Sequence, residues 1–81
     1  LHLDHCPLLT SNALLAIRGH KSLEVLDLAE CPRIDDSVFN HLVTCKNLRQ
    51  VHVRGTNISA VSAQRFQQLL PGCEVSGLDG V

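Results

Sequence analysis

The sequence has no tryptophan, tyrosine or methionine, and two phenylalanines are its only aromatic residues. It also has almost no excess of either charge, because seven lysines and arginines face eight acidic residues, a formal net charge of -1. Proteins that bind the phosphate backbone of nucleic acids need a surplus of cationic side chains. We therefore expect no nucleic-acid partner.

Long apolar runs are absent too. The longest, such as residues 13–17, fall far short of the roughly 20 residues that a membrane-spanning helix needs. We therefore expect no membrane span. Hydrophobic residues still make up 44% of the chain, which is typical of a folded globular domain, and 81 residues are enough for one domain only.

Closely spaced cysteine pairs are missing. The four cysteines stand far apart, at positions 6, 31, 45 and 73, whereas a cysteine zinc site needs pairs such as C-x-x-C. A catalytic cysteine needs an exposed thiolate beside a base, and we expect these four positions to be buried. The sequence thus predicts a protein without a metal, a cofactor or an enzymatic activity.

The chain does contain an internal repeat. Leu1–Pro7 (LHLDHCP) returns as Leu26–Pro32 (LDLAECP) and, at the same spacing but less closely, as Val51–Asn57 (VHVRGTN). A fixed period of this length with the pattern L-x-x-L-x-L-x-x-C is a leucine-rich-repeat signature, and residues 23–31 match every defined position. Each such unit supplies one strand and one helix, which bury their apolar sides only against neighbouring units.

This pattern predicts an α/β leucine-rich-repeat solenoid, a segment of a right-handed horseshoe with about three repeats and a C-terminal cap. The predicted repeats are approximately 1–22, 23–47 and 48–72, followed by a cap and tail at 73–81, all within a single domain of residues 1–81. The chain begins at Leu1 already inside the pattern, so we expect it to be the C-terminal part of a longer protein.

Side chains that alternate along the strands, or recur on one helical stripe, are predicted to form the core. Short polar residues before the helices, Thr10 or Ser11 and Asp35 or Asp36, are predicted to cap them. The predicted structural residues are Leu1, Leu3, Cys6, Leu23, Leu26, Leu28, Cys31, Ile34, Phe39, Leu42, Cys45, Leu48, Val51, Val53 and Phe66.

The cysteines at the strand ends leave two alternatives. Cys6 and Cys31 hold the same position in adjacent units, so a disulfide between them is geometrically conceivable. Free thiols are favoured, because a buried thiol acts as a small apolar group that also bonds weakly to backbone. Thr56 would keep a hydrogen-bond donor at the same place in the third unit.

The second unit resembles the cysteine-containing leucine-rich repeat through three features: Cys31 at the strand end, Ile34-Asp35-Asp36 after it, and Cys45 before Asn47-Leu48. This ribonuclease-inhibitor-like subtype is found in the F-box substrate receptors of ubiquitin ligases. The resemblance implies an intracellular, protein-binding scaffold. In F-box receptors the curved repeat surface holds the substrate, while a separate F-box segment recruits the ligase.

The residues between the inward leucines are predicted to line the concave face of the sheet. His2, Asp27 and His52 hold one position in three strands, so they should form a row with a spacing of roughly 5 Å. A metal ion on this row is disfavoured, because tetrahedral geometry would be unexplained, and ordinary solvated residues are the main alternative to a binding role. The candidate partner-binding residues are His2, Asp4, His5, Val25, Asp27, Glu30, Gln50, His52 and Arg54.

The predicted function is therefore a non-catalytic protein–protein interaction module that binds a partner through this face. The alternative is a small structural subunit of a large multiprotein assembly. Such a subunit would be embedded through its uncapped N-terminal edge and its helix side.

Overall fold

The computed structural model describes residues 1–78, which form three short parallel strands covered by three helices. The strands run in the order β1, β2, β3 across one sheet. The elements are a 3-10 helix at Ser11–Ile17, β1 at Val25–Asp27, α1 at Val38–Leu42, β2 at Gln50–His52, α2 at Ala60–Leu69 and β3 at Glu74–Ser76. The fold is thus α/β, with a helix in each connection between neighbouring strands.

The strand register follows the spacing seen in the sequence. Leu26 pairs with Val51, which holds the same position in the next repeat, and Val51 in turn pairs with Val75. On the other side of β1, His2 forms an isolated parallel bridge with Asp27. The sheet therefore has three strands, and residues 1–3 lie alongside β1 as a fourth segment joined to it by a single isolated bridge.

The same spacing appears in the turns that follow the strands. His5, Glu30 and Gly55 all adopt a left-handed backbone, with φ values of 59°, 60° and 74°. At Gly55 a Cβ atom would lie only 2.5 Å from Oε2 of Glu30. Since His5 and Glu30 adopt the same conformation, the close approach of Glu30, whose Cα would lie 3.1 Å from such a Cβ, is what favours glycine at position 55.

The core lies between the sheet and the helices. Leu26 and Leu28 are completely buried, and Val51 and Val53 of the neighbouring strand are at most 2% exposed. They belong to one cluster with apolar side chains of the helices, among them Val38, Leu42, Ala63 and Phe66. Alternation along the strands puts the apolar residues on this inner face and leaves the residues between them on the outer face.

The predicted leucine-rich-repeat solenoid is wrong. Residues 1–78 form a small compact α/β body, with principal-axis extents of 26 × 26 × 17 Å and one three-stranded parallel sheet. A horseshoe develops only when a small rotation accumulates over many stacked units. Three very short strands, closed over by helices, show no such curved array, so the outer sheet face is not a concave solenoid surface.

Two local predictions are also corrected. Leu1, predicted to be structural, is 51% exposed, because residues 1–3 form the outermost segment of the sheet beyond β1. The predicted caps are correct only in part: Thr10 is the N-cap of the first helix but its side chain makes no cap bond. Ser37, not Asp35 or Asp36, is the N-cap of α1, and Asp35 Oδ1 accepts the Ser37 N–H at 3.1 Å. The predicted cap and tail contains β3, and its residues 79–81 lie outside the described residues.

The thiols bond to backbone carbonyls, as expected. Cys31 donates to the carbonyl oxygens of Leu3 at 3.1 Å and Ala29 at 3.6 Å, and Cys6 donates to that of Asp4 at 3.6 Å. The hydroxyl of Thr56 donates to the Val53 carbonyl oxygen at 2.6 Å. All four cysteines are free thiols. The equivalent residues thus tie each strand end to its own turn, and Cys31 also binds the preceding segment.

Two aspartates join successive helical segments. Asp35 accepts from the hydroxyls of Ser37 and Ser11, and these bonds hold the pKa of Asp35 below its ordinary value of 3.8. Burial alone would raise the pKa of Asp36, but bonds from the Ser59 N–H and hydroxyl outweigh it and lower that pKa. Both carboxylates therefore stabilise the fold in their charged form.

This arrangement predicts acid sensitivity. A lowered folded-state pKa gives stability that is present above the unfolded pKa of about 3.9 and is lost as the pH falls through the folded value. We expect the free energy of unfolding in urea to fall as the pH drops below about 4. Asp36→Asn should flatten that dependence. Gln64→Ala, at an exposed position of α2 that does not titrate, should retain the native slope. An unchanged slope in Asp36→Asn would contradict the role given to this carboxylate.

None of the helices within residues 1–78 is long and apolar enough to cross a membrane.

Candidate functional site

The outer face of the sheet brings most of the predicted binding residues together. The strand register aligns His2, Asp27, His52 and Ser76 across four adjacent backbone segments. We call these four residues the central row. Neighbouring segments of a sheet lie about 4.8 Å apart, so the central row presents four polar side chains in a nearly fixed order.

The central row contains two separate polar contacts. His2 Nδ1 lies 3.8 Å from Asp27 Oδ2, while the other oxygen, Oδ1, accepts the Ala29 N–H at 3.0 Å. His52 Nδ1 lies 2.9 Å from Ser76 Oγ. Asp27 is therefore oriented towards His2, whereas His52 is paired away from it.

Two further rows flank the central row. On one side Val25, Gln50 and Glu74 are aligned, and Val25 is 45% exposed. On the other side Asp4 and Arg54 lie at either side of Ala29, which is buried. The outer face is thus a polar surface with one exposed apolar side chain at its margin.

Two pairs of polar side chains lie close together on this surface. Arg54 Nε lies 3.9 Å from Glu30 Oε1, and His5 Nδ1 lies 2.9 Å from Asp4 Oδ2. The hydrogen bond from His5 lowers the pKa of Asp4. Glu30 and His5 belong to the left-handed turns at the strand ends, so these pairs line the rim of the face rather than its centre.

Sequence reasoning missed Ser76 and Glu74, because β3 falls in the stretch predicted to be a cap and tail. A signal for them exists: Glu74-Val75-Ser76 alternates polar, apolar and polar, and follows Gln50-Val51-His52 at nearly the spacing of the earlier repeats. Valine in the middle of a short alternating run favours a strand.

The thiols offer little nucleophilic chemistry. Burial raises the pKa of Cys73 to about 11, and burial is also the main cause of the raised pKa of Cys31. A thiolate, not a thiol, is the attacking species. At neutral pH both residues therefore remain protonated and poorly reactive.

Two concavities lie outside the sheet face. One, of about 630 Å³, is lined by charged residues just before β1 and β2, including Lys21, Lys46 and Arg49. Arg49 also lies 3.8 Å from Glu24, which reduces the positive charge there. The other, a groove of about 190 Å³ between α1 and α2, has Phe39 and Phe66 in its lining.

No protein-family model matches the chain.

Proposed function

We propose that this chain is a non-catalytic protein-binding module whose outer sheet face contacts the partner. The observation that carries the proposal is the central row, in which backbone pairing fixes the order of His2, Asp27, His52 and Ser76. A surface that is held by backbone hydrogen bonds loses little conformational freedom on binding, which favours recognition.

The charge of the face suggests the partner's chemistry. Arg54 is matched by Glu30, and Arg49 by Glu24. Among basic side chains within residues 1–78, only imidazoles lie within 4 Å of the carboxylates of Asp4 and Asp27. Because complementary charge favours association and excludes wrong partners, the best partner presents lysine or arginine side chains to the first two segments of the sheet.

Two further features support the proposal. The raised pKa values of Cys31 and Cys73 disfavour thiol catalysis, and the resemblance to cysteine-containing leucine-rich repeats points to protein recognition, as in the substrate receptors of ubiquitin ligases. Free thiols suit a reducing compartment, so we place the protein inside the cell.

A second function is favoured by the apolar residues outside the sheet face. Leu8 is 73% exposed and Leu15 is 54% exposed, both in the N-terminal part of the chain, and Leu69 at the end of α2 is 68% exposed. Leu69 also lines the groove between α1 and α2. A structural subunit of a larger assembly would bury such residues.

Site-specific photocrosslinking distinguishes the two functions. A photoreactive side chain is placed at Gln50 on the sheet face, or at Gln64 on the exposed side of α2, and the protein is irradiated in its native cell extract. We expect Gln50 to yield a discrete crosslinked protein, identified by mass spectrometry, and Gln64 to yield none. Asp27→Ala should weaken that crosslink at least several-fold, because it removes the central carboxylate.

The opposite pattern would overturn the proposal. Crosslinks from Gln64 alone, unaffected by Asp27→Ala, would assign the function to the helix side and support the structural-subunit alternative. A crosslink from Gln50 that survives Asp27→Ala and Arg54→Ala would show that the face lies near a partner without recognising it.

A further inference from the structure

Three metal-binding side chains converge at the first two segments of the sheet. One ligand atom from each of His2, Asp4 and Asp27 lies within 4.8 Å of the others. The cluster combines an imidazole nitrogen with carboxylate oxygens. This mixed set is the kind of donor group that zinc accepts.

Backbone pairing holds the three residues in place. His2 and Asp27 face each other across a parallel bridge. The Leu3 N–H donates to the Asp27 carbonyl oxygen at 2.9 Å, and the His5 N–H donates to that of Ala29 at 2.8 Å. Asp4 lies between these two bonds, so all three Cα positions are fixed before any ligand arrives.

Neighbouring donors also orient both carboxylates. The Ala29 N–H binds Asp27 Oδ1, which leaves Oδ2 on the side of His2. His5 Nδ1 lies 2.9 Å from Asp4 Oδ2 and leaves the other oxygen available. Groups that hydrogen-bond to metal ligands commonly orient them and raise metal affinity.

The distances fit an ion better than a direct bond between the side chains. His2 Nδ1 and Asp27 Oδ2 are 3.8 Å apart, too far for a hydrogen bond. Two ligands of a tetrahedral zinc ion, each at about 2.1 Å, are separated by roughly 3.4 Å. A small side-chain adjustment would therefore close the group around one ion.

We propose that His2, Asp4 and Asp27 form a zinc-binding site at the edge of the sheet, with a fourth position open to water. Bound zinc would neutralise the Asp4 and Asp27 carboxylates, so zinc and a partner's lysine or arginine side chains would compete for them. His5 orients Asp4 from outside the ligand set. The site differs from the row of His2, Asp27 and His52, because His52 is paired with Ser76. The bound ion links residues 2–4 to β1, so it stabilises this edge of the sheet.

The test is a calorimetric titration of the whole protein with zinc chloride at neutral pH, in a buffer without chelators. This measurement involves no protein partner, so its failure would leave the proposed function untouched. We expect one zinc ion per chain and a zinc-dependent rise in melting temperature. His2→Gln and Asp27→Asn should each weaken zinc binding more than tenfold, and His5→Ala about tenfold, as for loss of an orienting neighbour.

Matched controls separate this site from the other histidines and the thiols. His20→Gln and Cys6→Ser should keep the native zinc affinity within about twofold, since neither position belongs to the donor set. Circular dichroism verifies that each variant is folded, and Asp4→Asn replaces any variant that is not.

Three results would overturn the site. The first is an unchanged zinc affinity in His2→Gln and Asp27→Asn, and the second is a loss of zinc binding only in Cys6→Ser. The third is calcium binding as tight as zinc binding, because calcium prefers oxygen ligands and such binding would exclude the imidazole as a ligand.

Discussion

Replacing Leu28 with Asp is expected to unfold the protein. Leu28 is completely buried in the single core cluster beneath the sheet. Removing its side chain costs about 2 to 5 kcal/mol, and a carboxylate without a partner in an apolar interior adds several kcal/mol more. Because small domains have a total stability of about 5 to 15 kcal/mol, this one substitution removes most or all of it.

The measurement is the far-ultraviolet circular dichroism of the purified variant, followed by a thermal melt. We expect little native secondary structure at room temperature and no cooperative transition. Val25→Asp is the matched control, because Val25 lies in the same chain segment but is 45% exposed on the outer face. Val25→Asp should lower the free energy of unfolding by about 1 kcal/mol at most, which is the range spanned by strand propensities. A cooperative melt of Leu28→Asp near the native temperature would show that the core assignment is wrong.

The internal repeat predicted the local structure better than the global shape. It placed Leu26 opposite Val51 and predicted that apolar residues of the strands turn inward. These features depend on alternation and on spacing, both of which can be counted in the sequence. Curvature is a property of many stacked units, so the match of residues 23–31 to a repeat signature did not determine the architecture.

The first helical segment shows a second limit of sequence patterns. The stripe of Ala13, Leu14 and Ile17 predicts an α-helix, but the structure has a 3-10 helix in which only Leu14 of these three is fully buried. Ser11 is buried instead, because its hydroxyl binds the carboxylate and backbone of Asp35. A contact between residues far apart in the sequence overrides the local preference, and the stripe alone does not reveal it.

The candidate site was predictable as a set of positions but not as a set of contacts. Equivalent positions in successive strands predicted that His2, Asp27 and His52 would be neighbours. The sequence did not predict that His52 would pair with Ser76, since this contact depends on β3. Nor did it predict that ligand atoms of Asp4 and Asp27 would lie within 4.8 Å of each other.

Replacing Phe66 with Ala is expected to separate the two α-helices. The rings of Phe39 and Phe66 stack with a centroid distance of 4.6 Å and an interplanar angle of 20°, and Phe66 is only 2% exposed. Truncating a buried phenylalanine costs about 3 to 5 kcal/mol. For a domain of this size, each kcal/mol lowers the melting temperature by roughly 4 to 8 °C. The expected fall in Tm is therefore at least about 12 °C.

Urea unfolding at room temperature measures the loss, with Leu69→Ala as control on the same helix. Leu69 is 68% exposed, so its truncation should change the free energy of unfolding by about 0.5 kcal/mol or less.

A double-mutant cycle of Phe39→Ala and Phe66→Ala should give a coupling energy of about 0.5 to 1.5 kcal/mol for the ring pair. If Phe66→Ala cost no more than Leu69→Ala, α2 would not be packed through Phe66. If the coupling were near zero while Phe66→Ala remained costly, burial of the ring, rather than its stacking on Phe39, would hold α2 against the core.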